Sequence, residues 1–163
     1  MSKLTGIGIW NFAIKDVNGN IVEEWEQRNS LADEGEENVL STFFQSVSAP
    51  TAFYVRLFND TPTDTDGLAD LTGEPVGNGY APIVIERSAV GWPTLALDAG
   101  DFKITSKKVT FSASGGSIGP VTYGVLATTS DNTGKLILYV ALSATRTLQD
   151  GESLDVTVTG KLA

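Results

Sequence analysis

With 163 residues, no histidine, no cysteine and a net charge of −9, the chain is long enough for one domain with a core of its own and lacks the side chains behind most enzyme chemistry. Histidine is the commonest general base and metal ligand, and cysteine supplies thiolates, so Ser-His-Asp and Cys-His triads, zinc-activated water and thiol redox relays are all excluded. The acidity argues against nucleic acid, whose phosphates need clustered Lys and Arg, and against an anionic membrane surface.

No segment approaches the roughly 20 apolar residues of a membrane-spanning helix. The opening Met1-Ser2-Lys3-Leu4-Thr5 has neither the basic nor the long apolar region of a secretory leader, so the chain is expected to begin in the cytoplasm. Residues 7–14 have a strand composition and lead into Asp16-Val17-Asn18-Gly19-Asn20, where Asn-Gly is a strong hairpin signal. The return strand is Ile21 to Gln27, and residues 1–30 read as an N-terminal hairpin or arm. Ile7 and Ile9 point to one face while Trp10, Phe12 and Ile14 point to the other. A strand apolar on both faces needs cover on both, either from a helix of the same chain or from another subunit. Ile7, Ile9, Trp10 and Phe12 are therefore the candidate partner-interface residues.

A helix is expected over 33–47, with Asp33 as N-cap and Glu34, Glu36 and Glu37 complementing its positive end. Val39, Leu40, Phe43, Phe44 and Val47 form a stripe at helical spacing, and Pro50 stops it. The glutamates read as a helix N-terminus rather than a carboxylate active site.

From Thr51 the pattern is β. Phe53, Val55 and Leu57 alternate with Tyr54, Arg56 and Phe58; further strands follow at 83–87, 108–112, 120–127, 136–142 and 154–158, with a weaker one around Leu95 to Leu97. Eight or nine short, turn-bounded strands predict a mainly β chain: a single antiparallel β-sandwich, jelly-roll-like or Ig-like, over residues 1–163, with one short α-helix and a sandwich core at 51–163.

The stretch from Asn59 to Ala81 is long for a connection and rich in oxygen ligands. Asp64-Thr65-Asp66-Gly67 has a calcium-loop flavour, but in that register position one is Pro62 and position twelve is Gly73, so it is no EF-hand. Calcium binding by residues 60–70 stays open beside a solvated loop held by Asx turns. Gly115 to Gly119 lacks the Lys-Ser/Thr and the helix of a phosphate loop and reads as a hairpin tip. Ser2-Lys3 and Ser106-Lys107 are adjacent, not at catalytic spacing, and no carboxylate pair stands out for glycoside hydrolysis. Tyr54, Tyr80 and Trp92 could stack on sugars, though aromatics in a β chain are more often packing. No catalytic residue, cofactor or metal ligand is expected.

Phe53-Tyr54-Val55-Arg56-Leu57-Phe58-Asn59-Asp60, the Thr- and Asp-rich run after it, Leu68-Ala69-Asp70-Leu71-Thr72-Gly73-Glu74-Pro75 and Gly77-Asn78-Gly79-Tyr80 resemble a group of small phage virion proteins. Those proteins read "LFND", then "L-x-D-L-x-E-P" and "G-x-G-Y". Phe111-Ser112-Ala113, Val121-Thr122-Tyr123-Gly124 and Ala127-Thr128-Thr129 resemble the same group, and the likeness covers about residues 31 to 160. It implies a structural component of the phage particle.

An acidic β-sandwich without reactive side chains suits a protein that adheres and stabilises. The expectation is a capsid cement or decoration protein bound to the major capsid protein on the outer shell, a homo-oligomer with a trimer among the states considered, and no nucleic acid or membrane partner. The alternative is a tail- or fibre-associated β-module, including one that binds host glycans. A small carbohydrate-binding module and an enzyme follow in that order.

Overall fold

The computed structural model describes residues 8–161. β1 (Ile9–Lys15) and β2 (Ile21–Arg28) form the expected hairpin. Its turn is organised by Asp16, whose carboxylate accepts the backbone N–H groups of Asn18 at 2.8 Å and Asn20 at 2.9 Å. Gly19 takes a φ of +82°, open to a residue without Cβ. After β3 (Ser30–Leu31) and α1 (Asp33–Phe44) come β4 (Ala52–Phe58), β5 (Ile83–Glu86), β6 (Thr94–Asp98), β7 (Asp101–Thr105), β8 (Val109–Ser112), β9 (Ile118–Ala127), β10 (Leu136–Leu148), β11 (Ser153–Thr157) and β12 (Thr159–Lys161).

All strand pairs are antiparallel, in three sheets ordered β2-β1-β11-β8, β3-β10-β9-β4-β5 and β12-β7-β6. The fold is mainly β and sandwich-like, as expected. The first two sheets close on one core containing Trp10 and Phe12 from β1, Val55 and Leu57 from β4, Phe111 from β8, Leu126 from β9, Val140 from β10 and Leu154 and Val156 from β11. Each such side chain contributes about 1.5–3 kcal/mol through burial. The alternation read in the sequence selects these residues: the odd-numbered apolar positions of β4 face inward together.

Three expectations change. The N-terminal hairpin is no arm, because β1 lies between β2 and β11 and supplies two of the four strands of its sheet with its partner. The described residues contain twelve strands rather than eight or nine: β7 was missed, although Phe102 and Ile104 alternate with polar neighbours, because its turn is Ala99-Gly100 rather than Asn-Gly. Gly115 to Gly119 is not a hairpin tip; it carries the chain from β8 in one sheet to β9 in the other.

The second sheet is covered on its outer face as well. Leu68 and Leu71, in the long connection after β4, bury against Phe58, Val125, Ala127 and Leu136. The segment expected to be a solvated loop is a lid with a small core beneath it. At the far side of the first sheet, β2 is an edge strand carrying Glu23, Glu24 and Glu26. Arg146 from β10 lies 4.5 Å over the Trp25 ring and is paired with Glu23.

Candidate interaction surfaces

The predicted interface residues separate. Trp10 is 0% exposed and Phe12 is 3% exposed, both in the central core. Phe12 stacks on Trp25 at 5.1 Å between ring centroids, and the Trp10 ring lies against Gly124, where a Cβ would stand 3.1 Å from it. These two are therefore corrected from partner contact to core: the opposite sheet covers the face of β1 that carries them. Ile9 is 38% exposed, beside Glu26 and Arg28. Ile7 lies outside the described residues.

The helix behaves in the opposite way. It was one of the two candidate covers for β1, yet the stripe of Val39, Leu40, Phe43, Phe44 and Val47 is exposed throughout, Phe43 at 80% and Phe44 at 74%. The buried residue of α1 is Gly35, with Asn38 and Thr42 one and two turns on along the same side and partly covered. Gly35 explains the orientation. A Cβ at this position would come 2.4 Å from the Ile137 carbonyl oxygen, so only glycine lets the helix lie this close to β10. Glu34 ties the helix down by accepting the backbone N–H groups of Leu68 at 3.0 Å and Leu136 at 2.7 Å. The expected Asp33 cap is also corrected: Ala32 is the N-cap, without a side-chain bond, and the helix ends at Phe44 rather than 47. The Asp33 N–H donates instead to the Asp64 carbonyl.

Beside this outward stripe lies an apolar cleft of about 330 Å³, with Val39 of α1 on one side and Ile104 of β7 on another, and with Phe53, Trp92, Leu126 and Leu138 in its lining. The β6–β7 hairpin continues the surface. Leu95 pairs with Ile104 and Leu97 with Phe102, so one face of this hairpin is wholly apolar, and all four are exposed. Its other face carries Lys103 and Asp98, which form an ion pair.

The polar groups of the lid hold structure. Arg56 is 2% exposed, and its guanidinium donates to both carboxylate oxygens of Glu74, to the Asp131 carbonyl at 2.7 Å and to Asn132 Oδ1 at 2.8 Å. Tyr80 donates its hydroxyl to Glu74 at 2.6 Å; burial, with Glu74 beside it, pushes the phenol well above its usual range. Asp60 accepts the Gly73 N–H at 2.6 Å, Asp66 the Thr63 N–H at 2.7 Å and Asp70 the Gly67 N–H at 2.8 Å. Asp60, Asp66 and Asp70 thus serve as backbone acceptors while Asp64 accepts the Tyr139 hydroxyl, and no group of three or more acidic side chains placed to hold a metal occurs among the described residues. Of the candidate sugar platforms, Tyr80 stacks on Phe111 at 5.6 Å and Trp92 packs edge-on against Phe53 at 5.8 Å. Ser106 Oγ accepts the Val158 N–H at 2.9 Å and donates to the Lys107 carbonyl, a structural role for that Ser-Lys pair.

On the outer face of the first sheet, buried Asp155 is held by Lys15, by Lys108 at 3.2 Å and by the Thr110 hydroxyl at 2.6 Å. Burial pushes this carboxyl up, but the bonds from Lys15, Thr110 and Lys108 outweigh it and hold it below the usual carboxylate range.

The feature that sequence reasoning missed is the outward stripe with its cleft. The signal was Gly35, a helix breaker within an otherwise helical run, where only a close backbone contact explains its presence. A family model described as podophage GP4 fiber I protein gp80 matches residues 30–162. No curated protein matches the chain.

Proposed function

The chain belongs to the podophage GP4 fiber I protein gp80 family and is a phage virion structural protein; from that premise we propose that it is a fibre-associated module, acting by protein contact and without catalysis. The match across residues 30–162 carries this reading. It favours the fibre alternative over the capsid-cement expectation, which nothing in the fold or the family supports. The non-catalytic part rests on the use of the titratable groups: Glu34, Asp60, Asp66, Asp70, Glu74 and Asp155 each accept structural hydrogen bonds. The surface agrees with a contact role, since large apolar side chains are exposed on α1 and on the β6–β7 hairpin.

Copy number and position test this together. Quantitative gel analysis of purified virions and electron microscopy of particles carrying a tagged chain should place it at fibres, in a number matching them. Hundreds of copies spread over the shell would overturn the reading and restore the cement role.

A further inference from the structure

We propose that the outward stripe of α1, the cleft beside it and the apolar face of the β6–β7 hairpin form the docking site for a second copy of this chain. The argument is independent of where in the virion the protein sits.

Area points to a full interface. Given their exposures, the stripe and the hairpin face together leave on the order of 900 Å² of mostly apolar surface in water, taking 150–250 Å² for a whole aromatic side chain. The largest apolar patch on an ordinary monomer is roughly 300–600 Å². A standard interface takes about 800 Å² from each partner. The surface therefore exceeds what a monomer carries and matches one partner's share.

Shape and charge point to a copy of itself. One surface holds both a ridge, Phe43 and Phe44, and a cleft of about 330 Å³ lined by Phe53, Trp92 and Leu138. Every copy presents both, so ridge-into-cleft docking satisfies the two at once in a two-fold pair or a closed ring. Glu36 lies one turn before Leu40 on the stripe, and Arg87 lines the cleft. The same docking brings Glu36 of one copy towards Arg87 of the other. With a net charge of −9 the chain repels itself at long range, and this opposite-charge pair gives the contact its register.

Sedimentation equilibrium and light scattering on the purified full chain test the proposal. The wild type should be an oligomer that dissociates on dilution. Phe43→Glu with Phe44→Glu, and separately Leu97→Glu with Phe102→Glu, should weaken association roughly thirtyfold or more, the scale of losing one aromatic hot spot, with unchanged circular dichroism. Arg87→Glu should weaken it too, and adding Glu36→Arg should restore it, a rescue that no folding defect mimics. A monomeric wild type, or an oligomer that both double variants leave intact, would overturn the proposal. So would a monomer whose stripe variants are lost from virions, because the occupant would then be another virion protein.

Discussion

Replacing Trp10 with alanine distinguishes a core residue from an interface residue by magnitude. Trp10 is fully buried, stands 6.2 Å from the Phe12 ring and fills the space over Gly124. Truncating a buried Trp to Ala costs about 3–5 kcal/mol, from lost burial and from the cavity left between two sheets that cannot close on it. Against a total stability of roughly 5–15 kcal/mol, that is a large share. At about 2–4 °C per kcal/mol for a chain of this size, the midpoint of thermal unfolding should fall by roughly 6–20 °C. The indole N–H has no hydrogen-bond partner, so Trp10→Phe keeps most of the packing and removes an unsatisfied donor; its cost should stay below about 1.5 kcal/mol. Phe43→Ala, on the exposed helix face, should change the stability of the dissociated chain by no more than about 0.5 kcal/mol. Urea titrations followed by tryptophan fluorescence and circular dichroism, performed below the concentration at which the chain associates, measure all three. An unfolding midpoint of Trp10→Ala equal to that of the wild type, with association lost, would refute the core assignment.

Glu74→Ala removes the bidentate acceptor of a guanidinium that is otherwise out of water, and breaking such a pair costs roughly 3–5 kcal/mol. The lower end is expected because the Asp131 carbonyl and Asn132 still accept from Arg56, and hydrogen exchange should speed up selectively across residues 59–81. Asp155 governs the acid limb of stability. Its carboxyl sits below the ordinary value of about 3.9, so the folded state binds its proton less readily than the unfolded chain. Its contribution is complete above that value and is lost as pH falls through the lower, folded one. Unfolding free energy measured from pH 5 downward should therefore drop less steeply in Asp155→Asn than in the wild type, and equal slopes would show the group to be uncoupled from folding.

The class of fold was legible because period-two alternation in β4 and β11 marks which side chains must share a core. Pairing was not, since β1 meets β11 across nearly the whole chain and local sequence carries no record of that distance. The helix was legible as an element but its orientation was not. An apolar stripe shows that a helix is two-faced, whereas the side that docks was decided by one glycine opposite the Ile137 carbonyl. Trp10 and Phe12 were misread for a related reason, because the strand pattern says that a face needs cover and not which chain provides it. In the long connection, the aspartates drew attention to solvent while Leu68 and Leu71, three residues apart, carried the information that it folds onto the sheet.

The glutamates along β2 acquire a further meaning wherever copies of this chain meet. An edge strand invites a neighbour to zip on through the main chain, and such growth has no natural end. Glu23, Glu24 and Glu26 place like charges along the line that an incoming β2 would follow, and Arg146 locks Glu23 across the Trp25 ring. Sheet-to-sheet polymerisation is thereby disfavoured at this edge of the molecule. Contacts between chains are left to side-chain surfaces, whose number and geometry the fold fixes, so an assembly can be finite.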